Sequence, residues 1–165
     1  LCRSPSSEFS MGACASSPCN PLHRTATYTL ADDKVMQLVS AERCSERCAD
    51  GRYALHYAAA SGCNLSICAA ILDAYPEAVR TPDRDGHLPA HAAAQSCRSV
   101  AVAEKILSAY PEAVHKKTTF GKTPPDRARA YNPSDEVKAI FEAVAAELPP
   151  PPSRQPTTDR TRRSS

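Results

Sequence analysis

The apolar positions of the chain fall in short runs, and within each run they recur at the spacing of one helix face. Ile67, Ile71 and Leu72 form one such face and Val102, Ile106 and Leu107 another. Each run follows a stretch crowded with alanine: Ala58, Ala59 and Ala60 in the first case, Ala92, Ala93 and Ala94 in the second. The pattern predicts pairs of helices, with first helices over 55–61 and 89–96 and second helices over 66–75 and 100–110. Small side chains let neighbouring helices approach closely. Pro76 and Pro111 cannot lie inside a helix, so each should end a second helix or begin a short extra turn. Ala78-Val79 and Ala113-Val114 are then expected to tuck back against the helices. Upstream, 32–43 is amphipathic through Val35, Met36, Leu38 and Val39 and is expected to open the array as a lone helix. Downstream, Val137, Ile140, Phe141, Val144 and Leu148 make one stripe. Asn132 is expected to cap that last helix with Pro133 at its first position, and Asp135 and Glu136 suit its N-terminal dipole.

The helix pairs repeat. AYPEAV at 74–79 returns at 109–114, and Gly51, Gly86 and Gly121 share that spacing of 35, as do His56 and His91. Laying 51–80 over 86–115 gives thirteen identical positions of thirty, where unrelated segments match at about two or three, so the unit is duplicated. Each Gly follows polar residues, such as Pro82-Asp83-Arg84-Asp85, at a turn expected to need a positive φ.

Gly51-Arg-Tyr-Ala-Leu-His56-Tyr-Ala58-Ala59, Gly86-His-Leu-Pro89-Ala-His91-Ala-Ala93-Ala94 and Gly121-Lys-Thr-Pro124-Pro-Asp126-Arg-Ala128 approximate the pattern G-x-x-P-L-H-x-A-A. The unit thereby resembles the ankyrin repeat. The resemblance covers about residues 32–148 and implies an all-α, ankyrin-type repeat stack of helix–turn–helix units near 51–85, 86–120 and 121–148, with the half unit before them. It also implies that Pro89 and Pro124 start first helices, and that His56 and His91 hydrogen-bond turn backbone and tie neighbouring units together. The period is 35 rather than the usual 33. Ala54 stands in place of the Pro, Ala90 in place of the Leu and Asp126 in place of the His. The expected organisation is a disordered segment 1–28, a repeat domain 29–148 and a disordered Pro- and Arg-rich tail 149–165.

Composition agrees with close-packed helices joined by sharp turns: there is no Trp, only three Phe and five Gly, but fifteen Pro. The net charge is +2. The tail holds Arg154, Arg160, Arg162 and Arg163 against Asp159, so the rest of the chain is slightly acidic and lacks the basic footprint of a nucleic-acid-binding core. The first thirty residues contain no apolar run long enough for a signal peptide, and no 18-residue apolar stretch occurs anywhere. The eight Cys therefore read as reduced thiols of an intracellular, cytoplasmic protein. Cys44-x3-Cys48 and Cys63-x4-Cys68, even with His56 and His91, lack zinc-ligand spacing, and nothing singles out one Cys as a nucleophile. No metal, no cofactor and no catalytic residue is expected.

Function is expected to lie in binding a protein partner, the chain acting as a monomer. Specificity should sit where the copies differ. These places are Arg52/His87/Lys122 after the Gly, Tyr53/Leu88/Thr123 next, and Tyr57/Ala92/Arg127 on the first helix. Arg52, Tyr53, Tyr57, Arg84, His87, Lys122 and Arg127 are thus the candidate contacts, since exposed Tyr and Arg are frequent hot-spot residues. The same inequality at Tyr53 and Tyr57 is also what covering the end of a short stack would produce. Met11-Gly12-Ala-Cys14-Ala-Ser16 matches an N-myristoylation pattern, with Cys14 placed for palmitoylation. Were Met11 the start, Gly12 and Cys14 would make the protein a lipid-anchored scaffold. Since Leu1 is not an initiator, a regulatory segment of a larger protein or enzyme is the other alternative. The run Pro149–152 with Arg154 fits either an adaptor-domain ligand or a spacer, and Arg162-Arg163-Ser164-Ser165 resembles a basophilic kinase site.

Overall fold

The computed structural model describes residues 36–62 and 64–148. The expectations for Gly12, Cys14, Val35, Cys63, the terminal segment 1–28 and the tail 149–165 lie outside the described residues. The fold is all-α. Residues 36–38 are helical, and α1 (Ala41–Ser45), α2 (Ala54–Ser61), α3 (Leu65–Ala74), α4 (Pro89–Ser96), α5 (Val100–Ala109), α6 (Pro124–Tyr131) and α7 (Asp135–Glu147) follow. Short 3-10 helices at Pro76–Arg80 and Pro111–His115 follow α3 and α5. The prolines thus do both things expected of them: they stop the second helices and start an extra turn that buries Ala78, Val79, Ala113 and Val114.

The helices form two layers. In one, α2 packs on α4 and α4 on α6; in the other, α3 packs on α5 and α5 on α7. The first layer is close because Ala54, Ala58, Ala59, Ala90, Ala93 and Ala94 are its contact surface, all buried. The second supplies the bulk, through Ile67, Ile71, Val102, Ile106, Val137 and Phe141. Burying each such side chain contributes about 1.5–3 kcal/mol. A repeated unit is visible down to the backbone: the cap residues Tyr75 and Tyr110 share φ −148° and −149° with ψ 80° and 79°.

Two expectations at the ends are corrected. The helix expected over 32–43 does not run through the described part: it is broken at 39–40, where Ser40 caps a new helix by accepting a hydrogen bond from Arg43 N–H at 3.4 Å. Nor does Asn132 cap the last helix. Ser134 does, accepting from Val137 N–H, and α7 begins at Asp135, beyond Pro133. Asn132 is buried and turned inward instead. Its Nδ2 donates to the carbonyls of Ala94 and Cys97, both at 2.9 Å, and its Oδ1 accepts from Ser134 N–H at 2.8 Å. It closes the end of α4 with an amide where an N-cap would have served α7 alone.

Candidate recognition face

The joints between units are built from the turns. In each turn the Gly N–H donates three residues back, to Cys48, Asp83 or Thr118, and those residues' own N–H groups donate to the carbonyl just after the Gly. Gly51, Gly86 and Gly121 adopt φ +77°, +76° and +73°, as their position in a tight loop requires. Each turn then bonds to the next. Arg84 N–H donates to Asp50 O at 3.2 Å, and Thr119 N–H to Asp85 O at 3.1 Å. The approach is so close that a Cβ on Gly86 would lie 3.1 Å from Thr119 N, whereas one on Gly121 would meet nothing within 4 Å among the described residues. Gly121 is thus the one of the three with no following turn among the described residues.

The two repeated histidines lock these joints. His56 Nδ1 accepts the N–H of Tyr53, so Nε2 carries the proton and donates to His87 O, 3.0 Å away in the next turn. His91 repeats the arrangement: Nδ1 accepts from Leu88 N–H, and Nε2 donates toward Lys116 O at 3.1 Å and Lys122 O at 3.3 Å. Both rings are buried, and burial lowers both pKa values to about 4, so both are neutral near pH 7. In the third unit Asp126 takes the position and keeps only the local half of the job, accepting from the N–H and hydroxyl of Thr123. A carboxylate has no proton to pass forward, and among the described residues no further turn is there to take one.

On the side formed by turns and first helices, three candidate contacts are joined by a fourth residue. Asp83 Oδ2 accepts from Arg52 Nε at 3.1 Å and faces His87 Nδ1 at 3.4 Å, and its Oδ1 accepts from the N–H groups of Asp85 and His87. Arg127 Nη1 lies 2.7 Å from His87 Nε2. The guanidinium can only donate, which leaves the His87 proton on Nδ1, toward Asp83. Burial opposes a charge on Asp83, but the hydrogen bonds from His87 and Arg52 outweigh it and hold the carboxyl well below the usual range. Arg52, His87 and Arg127 come from three successive units, so the chain of contacts crosses all of them. Asp83, Asp85 and His87 offer ligand atoms within 4.8 Å of one another. Arg52 already sits on Asp83 Oδ2 and Arg127 on His87 Nε2, however, so positive charge flanks the cluster and it does not suit a metal.

The other candidates are placed as follows. Tyr53 is a correction: only 5% exposed, it packs against Tyr75 with ring centroids 5.4 Å apart, and its hydroxyl accepts from Arg47 Nε at 2.7 Å. It covers the first unit's core, as Leu88 does one unit on, and is not an exposed contact. His87, 9% exposed, is also a buried linker between Asp83 and Arg127. Tyr57 is half-buried, its hydroxyl 3.3 Å from Cys48 Sγ. Arg84 and Lys122 are exposed, and Arg127 is half-buried with its guanidinium over the Tyr131 ring at 5.8 Å. Pro89 and Pro124 open α4 and α6. Sequence reasoning missed Asp83 as a connector, although an Asp four residues before a His in a turn was a usable signal. It also missed Phe120 and Tyr131, which are 70% and 66% exposed.

No protein-family model matches the chain, and no curated protein matches it. Among the described residues no helix is long and apolar enough to cross a membrane.

Proposed function

We propose that this chain is an ankyrin-type repeat protein whose work is protein–protein recognition through its turns and first helices, without catalysis. The observation that carries the reading is the pair of histidines spaced 35 residues apart, each accepting from its own helix N-terminus and donating to the following turn. That is the role the resemblance assigns to them. It turns the duplicated sequence into a rigid row presenting unlike side chains at like positions, the arrangement that repeat proteins use for extended binding surfaces. The same geometry argues against catalysis by these groups. Both nitrogens of His56 and His91 are spent on backbone, and burial pushes the Cys44, Cys68 and Cys97 thiols up, Cys68 to about 11.

The test is photo-crosslinking of the full chain in its own cells, compared with a variant carrying Arg52→Ala, Tyr57→Ala and Arg84→Ala. Tyr53 is left intact because it belongs to the core. The expected result is loss of the cross-linked partner with unchanged helical circular dichroism. Retention of the partner would refute this face, and absence of any protein cross-link in the parent chain would refute the recognition reading itself.

A further inference from the structure

The three turns are alike in backbone and unlike in charge. Units one and two place Asp50 and Asp85 immediately before the Gly; unit three places Phe120 there. The stretch 116–131, which is the third turn and α6, carries Lys116, Lys117, Lys122, Arg127 and Arg129 against a single acid, Asp126. Arg129 is paired with Glu142 at 2.9 Å and Arg127 is engaged by His87. Lys116, Lys117 and Lys122 are exposed, and among the described residues none forms an ion pair with them. Phe120 and Tyr131 bracket this stretch, one just before α6 and one in its last turn, both largely exposed. A unit that did no more than close a row would carry a polar outer face. Here the third unit carries three exposed lysines without an ion pair among the described residues, a largely exposed Phe120, and Tyr131 exposed beneath the Arg127 guanidinium.

We infer that the turn and first helix of the third unit, residues 116–131, form a docking site for an acidic protein segment carrying an apolar anchor for Phe120. The inference deepens the protein-recognition reading and rests on it. Charge selects the occupant. The chain's own tail brings Arg154, Arg160, Arg162 and Arg163 against Asp159, so like charges oppose its settling there. A long polyanion such as a duplex meets a second obstacle: the adjoining α7 presents Asp135, Glu136, Glu142 and Glu147 against Lys138. Of α7's acids, Glu142 is already taken up by Arg129, and the exposed Lys116, Lys117 and Lys122 lie in the turn that precedes α6, so a short acidic segment on that turn need not run along α7.

The probe is a short fluorescein-labelled poly-glutamate peptide with one central leucine, titrated by anisotropy against the full chain. The expected result is saturable binding that weakens about tenfold in Lys117→Glu/Lys122→Glu, since charge reversal at a contact surface acts on several pair interactions at once. A smaller loss is expected in Phe120→Ser, and none in Glu104→Lys on the second-helix layer. All three lysine and phenylalanine sites are exposed, and unchanged thermal unfolding of the variants checks that they fold. Absence of saturable binding overturns the inference, and so does equal affinity of the lysine variant, which would place the peptide on the basic tail. Tighter binding of an oligo-thymidylate of equal charge overturns it in favour of a phosphate-backbone site. If the peptide fails while the cellular partner is still lost on replacing Arg52, Tyr57 and Arg84, the acidic segment falls and protein recognition stands.

Discussion

Acid should take this protein apart in a window set by two buried rings. His56 and His91 are held neutral because burial lowers their pKa values to about 4, against 6.5 in the unfolded chain. Between those values the unfolded chain binds protons that the folded chain refuses, so stability rises with pH. The contribution is complete above pH 6.5, and it is lost as pH falls toward 4. Going from pH 7 to pH 5 removes about 2 kcal/mol per ring by this linkage, about 4 kcal/mol for the pair. For a small domain with roughly 5–15 kcal/mol in hand, that is a large fraction. Asp83 acts in a separate window: its depressed carboxyl withdraws stability only as pH falls below the ordinary carboxylate value of about 3.9. The assay is urea unfolding followed by helical circular dichroism at pH 7 and pH 5, on the parent chain and on His91→Gln. Gln should lower stability at pH 7 by about 1–3 kcal/mol, through its poorer match to the Leu88 N–H and the two lysine carbonyls. It should also remove about half of the pH dependence. An unfolding free energy that stays constant from pH 7 to pH 5, or a His91→Gln variant with the full parental dependence, would refute the reasoning.

Further predictions follow from the joints. Gly86→Ala forces a Cβ into positive φ and against Thr119 N, while Gly121→Ala bears the φ cost alone, about 1–2 kcal/mol. Thermal unfolding should therefore show the first variant clearly less stable than the second, and equal losses would contradict the stacked turns. Asn132→Ala leaves the Ala94 and Cys97 carbonyls without their side-chain donor and should cost about 1–3 kcal/mol, read by the same urea titration. A neutral result would mean that the amide contributes nothing at the end of α4.

Most of the helical architecture was legible in the sequence because it is written in periodicity and punctuation. The helix pairs, the 3-10 turns after Pro76 and Pro111 and the positive φ at three glycines come from local chemistry that repeats, so each copy checks the other. The misreadings fall where one side chain has two competing uses. Asn132 before Pro133 is a sound local cap, but the carbonyls of a helix 35 residues back outbid the helix ahead. Tyr53 looked like an exposed variable position, yet Tyr75, on a different helix turn, sets its burial. The candidate face was half legible. Inequality between copies pointed to Arg52, His87 and Arg127, but only three-dimensional placement reveals that Asp83 joins Arg52 to His87 and that Arg127 follows through His87. The position before the Gly is exposed in all three turns, at Asp50, Asp85 and Phe120, so an apolar residue there was a usable signal of a surface ring.

The like joints have a consequence for how such a chain can grow. Units one and two hand the next one the same offer: a carbonyl before the Gly, and a histidine proton aimed across the gap. A second copy of residues 86–120 placed after residue 120 would find His91 of the first copy facing the new His87 carbonyl, just as His56 faces it now. Its own His91 would face the Lys122 carbonyl that the original faces today. The joint is thus written in the repeated residues themselves, and Asp126, whose carboxylate keeps only the contact to Thr123, is where it stops among the described residues.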